Sequence, residues 1–268
     1  ILDRNGLRVE GAPLVENKAP IRFEHESPNS LWQMDFKGHF ALTNRAAGRC
    51  HPLTVLDDHS RFSLCLTACT NEQFATVQAA LRATFERYGL PRRITADNGP
   101  PWGGGSGLTQ LAIWLIRVGV IISHSRPYHP QTQGKDERFH RTLKLELIGR
   151  HGFESITVCQ HAFDMWRDQY NMVRPHHALG GARPISRYSA SGRPFPSTLP
   201  PIEYDLDDIV RKVDRHGYIS FKTRQIYVGE GLRSQPVAIR TTATDGVLDV
   251  YFCHHNVRQI NLLDNALK

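Results

Sequence analysis

The apolar residues of this chain change their period near residue 70, and that change limits the fold more than any other feature. Up to there they recur at every second position. In LWQMDFKG, Trp32, Met34 and Phe36 alternate with Gln33, Asp35 and Lys37, as in a strand with one buried face. Asp35 therefore points away from the buried set. Two further strand-like runs, His51 to Leu56 and Arg61 to Thr67, flank Asp57-Asp58-His59-Ser60. Such side chains bond back to their own backbone and favour turns, so the first three strands read as an antiparallel meander. From Thr70 the spacing becomes helical through Phe74, Val77, Leu81, Phe85 and Tyr88, with Thr70 or Asn71 as cap and Gly89-Leu90-Pro91 as stop. A short strand, Arg93 to Ala96, runs into Asp97-Asn98-Gly99; Leu111 to Val118 reads as a helix and Val120 to Ser123 as a strand. After the irregular SRPYHPQTQG come two amphipathic helices, about Lys135 to Ile148 and Ile156 to Tyr170. The order is βββαβαβαα, an α/β domain on a mixed sheet.

This core is expected over residues 30–180, preceded by a proline-containing polar arm, 1–29, and followed by a linker, 181–207, whose proline-rich part, 181–200, carries three arginines and no acid and suits a path along DNA. Residues 208–268 hold short apolar segments separated by turns, among them Gln225 to Val228, Pro236 to Ile239 and Val247 to Phe252, which suggests a small β-barrel. Five cysteines, odd in number and without a CxxC pair, argue against a disulfide framework or zinc ribbon and for buried free thiols. Scattered His124, His129 and His140 make no zinc site without such partners. No run of eighteen apolar residues occurs and the first twenty-five residues lack an apolar signal core, so the expectation is a soluble cytoplasmic protein with no membrane partner. The net charge of +7 points to a polyanionic partner; Lys and Arg outnumber Asp and Glu by 17 to 13 in residues 26–180 and are balanced at 9 each after residue 200.

Three carboxylates occupy different kinds of position: Asp35 in mid-strand, Asp97 just past a strand end, Glu137 in the first turn of a helix. Each alone has an ordinary explanation as an exposed strand, turn or helix-start residue. Together they fit phosphoryl transfer on DNA, which uses two hard cations about 4 Å apart held by carboxylate oxygens from several elements. Asp57 and Asp58 are read first as turn residues. Gly103-Gly104-Gly105-Ser106-Gly107 lacks the Lys-Ser/Thr of a nucleotide-binding loop, and Trp102 beside it either stacks on a base or anchors the loop.

At these residues the sequence resembles the integrase-core superfamily, most closely the DDE transposases of bacterial insertion sequences, which are related to retroviral integrase catalytic domains. The matching pieces are LWQMDFKG, TVLDDHSRF, ITADNGPPW, SRPYHPQTQGKDERFHRTLK and YNMVRPHHALGGARP, in that order. The resemblance implies a ribonuclease H-like catalytic core and a metal-holding triad of Asp35, Asp97 and Glu137, with two Mg²⁺ or Mn²⁺ ions. Glu137 is preferred to Asp136 because the family's acid directly precedes Arg in GKxER, which leaves Asp136 a bystander. Thirty-nine residues separate Asp97 from Glu137, a little more than is usual in retroviral integrases, and the GGGSG stretch takes up the excess. The resemblance further assigns DNA contacts to Asn98, Arg126, Tyr128, His129, Gln131 and Gln133 and to the helix residues Lys135, Arg138, Arg141 and Lys144. It implies a transposase that cleaves transposon ends and transfers them into target DNA as a dimer or larger assembly in the bacterial nucleoid, with a helix-turn-helix region upstream. The alternatives are a ribonuclease H-type or structure-selective nuclease that does not join strands, and a DNA-binding protein without activity.

Overall fold

The structure is a computed structural model that describes residues 24–97, 99, 102–103, 107–124 and 134–263. Strand β1 (Trp32–Phe36) pairs antiparallel with β3 (Arg49–Asp57), and β3 pairs antiparallel with β4 (Ser63–Cys69), the expected meander. A two-residue strand that the period did not signal, β2 (Phe40–Ala41), pairs with the start of β3. On its other side β1 pairs in parallel with β5 (Arg93–Ala96), and β5 in parallel with β6 (Ile121–His124), so the sheet is mixed. Helix α1 (Phe74–Tyr88) ends at Gly89 with φ +77°, as its sequence predicts, but its entry is organised by Asn71, whose Oδ1 accepts from the Gln73 amide and the Thr76 hydroxyl.

The alternation in β1 decides what lies on each face. Trp32 and Met34 join α1 and α2 (Gln110–Arg117) in one core, through Val77, Leu81, Phe85, Leu111 and Leu115. On the opposite face, Leu42, Cys50, Leu56 and Leu66 pack against Phe139 and Leu143 of α3 (Gly134–Leu143) and Cys159 and Phe163 of α4 (Ile156–Asp168). Gln33 and Asp35 of β1 thus lie beneath α3. Both helices run on into π-helical turns, Lys144–Ile148 and Gln169–Val173. All five cysteines are free.

The segment expected to be an extended linker instead covers the core. Tyr188 stacks on Phe62 with ring centroids 4.3 Å apart, and Phe195 packs against Phe85 and Trp114. Its three arginines are engaged by protein: Arg193 donates to the carbonyls of Pro91 (2.7 Å) and Gly119 (2.6 Å), Arg187 pairs with Glu24, and Arg183 donates to the Met172 carbonyl. These two aromatics hold the proline-rich stretch against α1, α2 and the turn between β3 and β4.

The C-terminal part is built of β7 (Ile209–Lys212), β8 (Tyr218–Phe221), β9 (Arg224–Tyr227), β10 (Pro236–Thr241), β11 (Val247–Phe252) and β12 (His255–Asn261). Its ladders form a four-stranded sheet in the order β12-β11-β10-β7 and a β8-β9 hairpin; among the described residues no ladder closes the sheet into a ring. Ile113 and Ile116 of α2 belong to the core of this part, so the two parts share a helix.

Candidate active site

Parallel pairing of β1 with β5 sets Trp32 beside Ile94 and Gln33 beside Thr95. Extended two residues past the last paired positions and just beyond the end of β5, that register leads Asp35 toward Asp97, and the charge of Asp97 acts on the Asp35 carboxyl. The pairing itself therefore brings these two carboxylates together, although they are sixty-two positions apart in sequence. Asp97 is steadied by the Gly99 amide, which donates to Oδ1 at 2.9 Å, and by its own carbonyl, which accepts from His124 Nδ1 at 2.8 Å. The Asp35 carboxyl is pushed up to about 7, first by burial and then by the negative charge of Asp97.

Helix α3 lies over the polar face of β1. The Thr54 hydroxyl donates to the Asp35 carbonyl (2.9 Å), which leaves its oxygen to accept from His140 Nε2 (2.8 Å). That assigns the ring proton to Nε2. Nδ1 then stands 3.9 Å from Asp35 Oδ2. Burial, with Lys37 nearby, pushes the His140 pKa down to about 4, so the ring is neutral at physiological pH and this contact is not an ion pair. Glu137, three residues earlier, is exposed, as are Arg138, Arg141 and Lys144. Among the described residues no three His, Cys, Asp or Glu side chains converge as a metal cage. Asp35 and Asp97 are brought together; Glu137 is on the helix that covers them but does not close upon them.

Two charged residues at the start of α3 lie within. Lys135, expected to face phosphates, has a side chain only 15% exposed and pairs with Asp58. Asp136, read as a bystander, is 6% exposed, and its Oδ1 has no partner among the described residues. Burial, followed by Asp35 and Asp58, raises its pKa well above the usual carboxylate range. The helical phase explains this placement: Asp136 precedes Phe139 by three and Leu143 by seven and so falls on the buried stripe. That spacing was available in the sequence. Trp102 is buried and stacks on Phe36 at 5.5 Å, which settles it as an anchor. Asn98, Arg126, Tyr128, His129, Gln131 and Gln133 lie outside the described residues.

Asp57 and Asp58 separate into two roles. Asp57 holds its turn, accepting from the Ser60 amide (2.8 Å), the Ser60 hydroxyl (2.6 Å) and the Asn29 amide (2.7 Å). Asp58 instead reaches Gln33, His25 and Lys135. Arg174, at the far end of α4, pairs with Glu146, which also accepts from Trp166 Nε1 at 3.0 Å, and so fixes the helix pair structurally.

Comparison with known proteins identifies the family and the fold. Residues 25–130 and 118–184 each match the family described as Integrase core domain. The first part of the chain is thus an integrase core of ribonuclease H-like fold. Residues 208–267 match the family described as IS481 family transposase, C-terminal domain, and the chain belongs to the integrase-core transposases of insertion sequences. It is 29% identical over 166 residues to an uncharacterized 39.2 kDa protein of insertion element IS476 from Xanthomonas euvesicatoria, covering 62% of this chain and 46% of that protein. To an uncharacterized 31.7 kDa protein of insertion element IS407 from Burkholderia multivorans it is 27% identical over 169 residues, covering 62% and 57%. The chain thus spans about half the length of these relatives. A chain in the cryoEM structure of the simian T-cell lymphotropic virus intasome with PP2A regulatory subunit B56 gamma superposes with a TM-score of 0.51 at 17% identity, over 89% of this chain and 81% of that one, a likeness of fold.

Proposed function

We propose that this chain cuts DNA at transposon ends and joins the freed ends to target DNA, with Asp35, Asp97 and Glu137 as the carboxylates that hold Mg²⁺ or Mn²⁺. The observation that carries the reading is the proximity of Asp35 and Asp97 at the ends of paired β1 and β5, with Asp35 driven up to about 7 by burial and then by the charge of Asp97. Hard divalent cations favour carboxylate oxygen, and a cation between these two groups relieves their repulsion, so the donor set fits. A pair of such ions activates an attacking oxygen and neutralises charge on a leaving one.

The chain's own residues supply position. Asp35 and Asp97 fix one edge of the site from the rigid sheet, while Thr54 and neutral His140 brace the Asp35 backbone without adding a competing charge. Arg138, Arg141 and Lys144, exposed on the Glu137 side of α3, suit phosphates and give affinity that weakens with salt and carries little sequence information. The assignment of Asn98, Arg126, Tyr128, His129, Gln131 and Gln133 to DNA rests on the resemblance alone. Two double-stranded ends held for joining require at least a dimer on DNA, in the bacterial nucleoid.

The test is cleavage and strand transfer in Mg²⁺ or Mn²⁺, comparing the chain with Glu137→Gln, which keeps shape and removes charge. Joined products lost in the variant support the reading. Cleavage without joining points to a ribonuclease H-type nuclease, and equal activity in both proteins removes Glu137 from the site.

A further inference from the structure

One buried carboxylate ties together three elements around the site. The Asp58 side chain is 1% exposed. Its Oδ1 accepts from Gln33 Nε2 (2.7 Å) and from Lys135 Nζ, and Oδ2 accepts from the His25 amide (2.9 Å) and lies 3.0 Å from His25 Nδ1. Gln33 is two residues before Asp35 on the same face of β1, and Lys135 is two residues before Glu137 in the first turn of α3. His25 belongs to the arm that leads into β1. None of these bonds serves the turn in which Asp58 sits, because Asp57 already closes that turn. Burial opposes the Asp58 charge, but Lys135 and His25 outweigh it and hold the carboxyl below its usual range.

A buried ion pair adds little net stability, and its best attested use is to fix one register among several. Such a choice exists here. Phe139 and Leu143 hold α3 to the sheet by non-directional apolar contact, which tolerates rotation and sliding of the helix. A charge-assisted bond at its first turn does not.

We propose that Asp58 and Lys135 are positioning residues that fix the start and rotation of α3 on β1, and so set the helix from which Glu137 joins Asp35 and Asp97 when metal binds, with the arm sharing the same carboxylate through His25. This rests on the reading of the three acids as a metal site.

The test is a Mn²⁺ titration of the full chain, following free Mn²⁺ by electron paramagnetic resonance, alongside strand transfer and DNA binding. The double variant Asp58→Asn/Lys135→Met removes both charges and strands neither. It is expected to keep the wild-type near-ultraviolet circular dichroism and DNA affinity while binding Mn²⁺ about tenfold to 100-fold more weakly, the range typical of groups that orient metal ligands. The strand-transfer kcat should fall with it. Lys135→Arg, which keeps the pair, should restore both. Should the double variant fail to fold, Lys135→Gln, which retains a donor to Asp58, is expected to weaken Mn²⁺ binding in the same direction. Wild-type Mn²⁺ affinity in the double variant, or in Lys135→Gln, overturns the proposal, as does a loss in Lys135→Arg equal to that in Lys135→Gln. Glu137→Gln separates the two ideas. If it loses Mn²⁺ while the Asp58 and Lys135 variants do not, the positioning role fails and the metal site stands. If it too binds normally, or the wild type binds none, both fail.

Discussion

Asp35 is the residue at which the stability of the protein and its proposed chemistry oppose one another. In the unfolded chain its carboxyl ionises near 3.8, and in the folded chain near 7. Between those values the folded protein holds a proton that the unfolded chain has released, so this contribution to stability is present below about pH 4 and is lost as pH rises through 7. The metal-free protein should therefore melt at a lower temperature at pH 8 than at pH 5 on this account. Asp35→Asn should melt above wild type at pH 8, with the gap narrowing at pH 5. Thermal scans at the two pH values check this, and a variant that melts below wild type at pH 8 contradicts it. Mg²⁺ should raise the wild-type melting temperature and leave that of Asp35→Asn nearly unchanged, by mass action on the folded state. The placement of Asp35 opposite Trp32 and Met34 was legible in the period-two pattern. Its adjacency to Asp97 was not, because the pairing of β1 with β5 is a long-range choice that local spacing does not encode. The inward turn of Asp136 was legible but missed: a charged run such as GKDER reads as solvated until the phase of its helix is anchored on Phe139 and Leu143.

Among the elements, the end of α1 depends most on chain distant in sequence. Gly89 has φ +77°, and a Cβ there would stand 2.7 Å from the Ser191 carbonyl and 2.8 Å from that of Arg193. Gly89→Ala thus meets both backbone strain and a clash, and should cost on the order of 1–3 kcal/mol. Chemical denaturation measures that loss, and limited proteolysis between residues 184 and 196 shows whether the covering segment has lifted. Tyr188→Ala should expose the same segment to protease without straining the backbone of α1, since it removes the stacking on Phe62, the edge contact with Tyr88 and the bond to Asn29 but introduces no clash. The stop signal at Gly89 was plain in the sequence. The partner that covers it was not, because composition rich in proline and arginine outweighed two aromatics, Tyr188 and Phe195, that a solvated linker has no need of.

Across the whole molecule, the C-terminal sheet is seated on the core with no room to spare. A Cβ on Gly231 would fall 2.0 Å from the Leu108 carbonyl, and Ile113 lies beside it. Gly231→Ala should consequently separate the parts or lower the stability of both, seen as a second unfolding transition or as new cleavage between residues 196 and 208; one unchanged transition would remove the argument. The strand content of this part was readable from its short apolar segments, whereas ring closure is a property of pairing that spacing does not fix. Its docking was hidden for a different reason: Leu111 to Val118 is apolar all round, which says that the helix is buried but not by how many partners. Helix α2 has Leu111 and Leu115 in one core and Ile113 and Ile116 in the other. Every side of it answers to a neighbour. A substitution that suits one core must also spare the other, so in a map of all single substitutions α2 should stand out as the least forgiving helix of the chain, although it carries none of the residues assigned to chemistry.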